Sequence, residues 1–383
     1  MADVNNFPQL MEIAQRLPEY PWEAELNAKL QSGGNGPWPT DDELEAAERE
    51  QSPQYLAEHR QLLTAARSLL RQPCENWAAE SAEAWREGSS VRLQKARHLG
   101  RVFALSSIAS QRGGDQTLAI EDAKNCLRLA IASRKGGLVV DYLVSAGIEG
   151  FGIDRIRVLR RDLSPESRQS LIHFLEQHEA AREPYDLIAD RDADWEAKFG
   201  SEAEEDDSWI DDEEFADLSP EERQKINAMI EENRQRLAEM SPEEIALNRR
   251  NGFAMPDRHS LSLQRLLRIE LAILSYQAEK GSQPERLDQL APHYLTTVPL
   301  DPRGGEQYRY RHDGLGYVLY GLNEHLIDCG GRQRGVCSIH DGTADLFLDY
   351  FDFPDDLASD EGIGFGCRIL QAIRSTWRSI VRA

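Results

Sequence analysis

The chain has 383 residues, with 67 acids against 44 lysines and arginines and a formal net charge of −23. A surface that acidic repels phosphate backbones, which excludes general nucleic-acid binding and favours cationic partners. No run of about 18 apolar residues exists to form a transmembrane helix, and the length predicts two or three structural units.

Residues 1–51 read as an N-terminal arm. The start, "MADVNNFPQLMEIAQRLPEY", lacks the basic opening and apolar stretch of a secretory signal, so the expected compartment is the cytoplasm. Pro and Gly punctuate "LPEYPW" and "SGGNGPWPTDDE". Trp22 and Trp38 are expected to pin the arm to the body. Thr40, followed by Asp41, Asp42 and Glu43, reads as a helix start.

Residues 52–189 read as a helical-hairpin domain. Ser52 is the expected cap of its first helix, with Pro53 at the first helical position. The next breaks fall at Gly113 and Gly114, at Gly136 and Gly137, and at Ser164 and Pro165, with Asp115 as a further cap. The turn at Gly114 and Asp115, with Ala119 shortly after, resembles the inter-helix turn of tetratricopeptide-type repeats. That implies antiparallel hairpins, although no 34-residue period is sustained. Gly147, Gly150 and Gly152 lie inside a helical pattern and predict close packing or a kink, not a cofactor turn. His173 and His178, five apart, fall on different helix faces, which argues against a shared metal.

Residues 190–218 read as an acidic linker or insertion, since "DRDADWEAKFGSEAEEDDSWIDDEEFAD" holds 14 acids and two bases. Its Trp195, Phe199, Trp209, Ile210 and Phe215 are unusual in a spacer and predict docking on the body or on a partner. Residues 219–258 read as connecting helices, opened by capping boxes at Ser219 with Glu222 and at Ser241 with Glu244.

Residues 259–354 change character. A helix carrying Leu263, Leu266, Leu267 and Leu271 ends at Gly281. After it come "VPLDPRGG" and two expected strands, 307–311 and 317–320, joined across Asp313 and Gly314. The fold class is therefore α+β, mainly α: a repeat-like helical body with a small C-terminal β-meander. That order, with Asp301, Pro302, Arg303, Gly304 and Gly305 followed by Tyr308, Arg309 and Tyr310, resembles the globular module of major, G-like type II secretion pseudopilins. A helical body joined to such a tail also resembles a group of planctomycete-type proteins. Arg265, Arg268 and Glu270 interrupt the Leu263 helix and keep it out of lipid, so the resemblance implies a borrowed globular fold.

The resemblance also implies a Ca²⁺ site in the last loop, with Asp328, Asp341 and Asp345 as oxygen ligands. The same loop offers His325, Cys329, Cys337 and His340 as four zinc donors. Its two cysteines are equally compatible with a Cys329–Cys337 disulfide, which needs an oxidising compartment, or with two unlinked thiols.

Residues 363–383 read as a basic amphipathic helix. Ile369, Ile373, Trp377 and Ile380 share one arc, and Arg374 and Arg378 lie on the opposite one, a pattern that suits docking on the acidic body or contact with anionic lipid. No phosphate loop, dinucleotide fingerprint, nucleophile elbow or zinc-hydrolase motif is present. The expected function is a non-catalytic protein-interaction or scaffold protein, membrane-peripheral through the last helix. Competing with it are a metal-stabilised envelope protein related to secretion or pilus machinery, and an enzyme whose site leaves no local motif.

Overall fold

A computed structural model describes residues 5–22, 41–203, 241–312, 316–322, 326–331 and 345–349. The helices are α1 (Phe7–Arg16), α2 (Asp41–Glu58), α3 (Arg60–Leu69), α4 (Ala82–Arg112), α5 (Gln116–Arg134), α6 (Val139–Leu159), α7 (Pro165–Ala181), α8 (Tyr185–Ala203) and α9 (Pro242–Lys280). A short 3₁₀ turn, Leu287–Leu290, precedes the strands β1 (Arg309–His312) and β2 (Tyr317–Tyr320), which form an antiparallel pair. The described fold is mainly α with one small sheet.

Several boundaries follow local chemistry. The Asp115 carboxylate accepts from the Leu118 amide at 2.9 Å, and the Ser164 hydroxyl accepts from the Ser167 amide at 3.2 Å. Ser241 and Glu244 form a reciprocal capping box, and α9 ends at Gly281 with φ of +71°.

Three expected breaks are absent. Helix α2 runs through Ser52, with Pro53 inside it, and the chain turns at His59 instead. Ser52 is buried and the Tyr55 hydroxyl donates to the Pro18 carbonyl at 2.8 Å, so packing against the arm overrides the local start signal. The acidic run expected to begin a linker at residue 190 continues α8 as far as Ala203. Its Trp195 indole donates to the Ala79 carbonyl at 2.8 Å and lies beside Trp85 and Phe199. Helix α9 crosses position 258 unbroken, with Pro256 inside it. In the arm, Trp22 is buried and stacks on Tyr20 at 4.6 Å. Trp38, Trp209, Ile210, Phe215 and the Ser219 box lie outside the described residues.

Helices α4 to α7 are antiparallel neighbours. Ser107 bonds the Ala119 carbonyl while Cys126 reaches Gly100, and Ser145 bonds Ala130. His178 reaches back towards Glu149, and Arg168 bonds the Arg160 carbonyl. Gly152 sets the α5–α6 approach: a Cβ there would lie 2.7 Å from Leu127 Cγ and 3.0 Å from the Ala123 carbonyl. Gly147 and Gly150 face open space.

Two large cores result. One joins α1 to α5 around Phe7, Leu63, Leu99, Phe103 and Leu129. The other joins α5, α6, α7, α9 and the strands around Leu127, Ile156, Leu171, Leu267 and Leu290. The β module is fixed to α9 by polar groups. The Ser262 hydroxyl donates to Asp301 at 2.8 Å, and the Tyr308 hydroxyl donates to the Ser262 carbonyl at 3.0 Å. Gly321 lies over the buried Asp301–Arg303 pair, where a Cβ would meet Arg303 Nη2 at 2.7 Å. It also pairs through both backbone groups with Leu346 at 2.9 Å.

Candidate functional site

Among the described residues of the last loop, two carboxylates collect hydrogen-bond donors. Asp328 accepts from the Gly330 amide at 2.8 Å, the Tyr320 hydroxyl at 3.0 Å and Arg309 at 3.2 Å. Burial raises its pKa, but these three donors outweigh burial and hold it below the usual carboxylate value. Asp345 accepts from the Cys329 amide at 3.0 Å and the Gly331 amide at 2.8 Å. Two of the three expected Ca²⁺ ligands thus lie in one loop, both already accepting hydrogen bonds from its backbone. Cys329 is half-buried. Asp341, His325, Cys337 and His340 lie outside the described residues, as do Ile369, Ile373, Arg374, Trp377, Arg378 and Ile380. Among the described residues no three His, Cys, Asp or Glu side chains gather as a metal site.

A second concentration of charge is buried between α6, α7 and α9. Arg182 bonds Glu149 and reaches Asp257 at 2.7 Å, while Ser260 donates to the other Glu149 oxygen. Arg134 bonds Asp257 at 2.8 Å with its guanidinium over the Tyr142 ring. His178 sits between the Gln264 amide oxygen and the Leu127 carbonyl, each at 3.2 Å. His173 is exposed and bonds Gln177, so the two histidines point apart. Sequence reasoning did not reach this network, in which Arg182 and Glu149 stand 33 residues apart and Arg134 and Asp257 stand 123 apart.

The third feature opens to solvent. A cleft of about 360 Å³ lies between the start of α7 and the end of α9, lined by Pro165, Gln169, Ser275, Ala278, Glu279, His293 and Tyr294. The Glu279 carboxylate accepts from the Tyr294 hydroxyl at 2.7 Å and from Lys280 at 2.7 Å, with His293 Nε2 at 3.3 Å. Hydrogen bonds from Lys280 and Tyr294 hold its pKa down to about 2. Tyr276 packs on Tyr294 with ring centres 5.6 Å apart, and the Gln169 amide reaches the Tyr294 carbonyl at 3.4 Å. One signal for this site was available in the sequence. An acid in the last turn before Gly281 adds to the negative end of the helix dipole, where a cation is the usual occupant.

Among the described residues no helix is long and apolar enough to cross a membrane. No family model, curated protein or solved structure matches the chain.

Proposed function

We propose that the protein is a non-catalytic scaffold of the cytoplasm that presents an acidic body to basic protein partners. The observation that carries this reading is how α9 is held along its length. Arg250 pairs with Asp190, Asp257 with Arg134 and Arg182, Arg265 and Arg268 with Glu179, and Glu270 with Arg160. Further along, Asp349 accepts from Arg157 at 3.1 Å and is also bonded by Arg160. Charges used this way tie α5, α6, α7, α8 and the segment carrying Asp349 to one another around α9, and the buried pairs among them favour one arrangement over others. The net charge of −23 suits a cationic partner, because complementary fields speed encounter and suppress wrong partners.

The pseudopilin resemblance enters this proposal for the C-terminal module alone. Its support is the order of α9, the Asp301 turn and the β1–β2 hairpin. Cross-linking in the native cells, followed by purification, tests the scaffold reading. The expected result is a basic protein cross-linked to the helical body, and loss of that product when the cross-linker is added only after lysis into high salt, where surface attraction is screened. Recovery of the chain cross-linked only to itself would sink it.

A further inference from the structure

We infer that the cleft between α7 and α9 is a recognition site for a lysine or arginine side chain carried by a basic protein partner. The inference rests on the scaffold reading only for who carries that side chain. Three observations support it. The first is the placement of Glu279, which lies in the last turn of α9 beside the chain's outgoing carbonyls. Dipole and side chain there have the same sign, so the local field favours a cation.

The second observation is the form of the cation now present. Lys280 is the immediate neighbour of Glu279, and their side chains are 52% and 46% exposed. An exposed pair of that kind contributes little and exchanges readily. A guanidinium or ammonium entering the cleft would replace Lys280 on Glu279 while the Tyr294 hydroxyl keeps its bond to the same carboxylate. The third is the lining. Tyr294, Ala278 and Pro165 line the cleft and offer apolar surface to a methylene stem. Gln169 adds an amide to the lining. The cleft volume lies at the small end of the range for ligand sites, which suits one long side chain.

The test uses the full chain with its histidines isotopically labelled, titrated with Nα-acetyl-lysine methylamide and, in parallel, with its Nε-acetylated form. The His293 signal is expected to shift saturably with the first probe and to stay fixed with the second. Glu279→Gln is expected to weaken binding about ten-fold, the range for losing one charged hydrogen bond. Ala278→Phe, which fills the cleft and leaves the charge unchanged, should abolish the shift. Glu50→Gln removes the same charge from a remote exposed position and should leave affinity as it was. An unshifted His293, equal binding of the acetylated probe, or equal loss in the Glu279 and Glu50 variants would overturn the assignment. None of these outcomes touches the scaffold reading, which stands or falls on the cross-linked partner.

Discussion

Glu149 carries its charge in the interior because groups from two other elements converge on it. Burial alone pushes its carboxyl up, yet Arg182, then His178 and Ser260, bring the pKa from 4.5 down to about 2. A folded-state pKa below the unfolded one stabilises the protein above about pH 4.5, and the contribution is lost as pH falls towards 2. Glu149→Gln should therefore lower stability by about 3 kcal/mol at pH 7, because Arg182 loses its closest buried partner. Urea midpoints for the two proteins should converge on acidification. A penalty as large at pH 2.5 as at pH 7 would show that the carboxylate charge is not what the site uses. Burial also pushes up the Cys126 thiol, whose sulfur contacts the Gly100 carbonyl at 3.4 Å. That cysteine should resist thiol reagents until the surrounding helices open.

The contact between α5 and α6 depends on a missing side chain. Gly152→Ala places a methyl against Leu127 and the Ala123 carbonyl, and is expected to cost about 1–3 kcal/mol despite the better helix propensity of alanine. Gly150→Ala, one half-turn away in open space, should instead stabilise by about 0.5–1 kcal/mol. Opposite shifts in thermal midpoint would confirm the pair, and equal shifts would show that the approach at Gly152 relaxes freely. Helix ends such as Asp115, Ser164, Ser241 and Gly281 were legible in the sequence because capping involves residues three or four apart. Ser52 and Pro53 gave the same signal and misled, since the buried Ser52 and the tethered Tyr55 hold the helix straight through them. The acids after position 190 looked like a spacer because the partners of Trp195, on Ala79 and Trp85, lie more than 100 positions earlier. The cleft escaped for the same reason: Gln169, Glu279 and Tyr294 share no local pattern, and only Glu279 at a helix end was anomalous by itself.

Across the whole molecule the two cores are not independent, because α5 serves both. Ala119, Ala123 and Leu127 belong to the core shared with α9, while Cys126, Leu129 and Ala130 belong to the core shared with α1. Opening either core strips one side of the same helix, so unfolding should be a single transition. Tryptophan fluorescence, far-ultraviolet circular dichroism and trapping of the Cys126 thiol should give one urea midpoint. Separate midpoints would mean that α5 can hold one core without the other. The length of α9 has a different implication. Its 39 residues correspond to about 58 Å of straight helix, with the Ser241 box at one end and the Glu279 cleft at the other. Ion pairs at Arg250, Asp257, Arg265 and Glu270 brace it at intervals. The helix is thus a ruler: whatever enters the cleft is held a fixed distance from whatever joins the chain at Ser241, and swapping the occupant leaves that spacing unchanged.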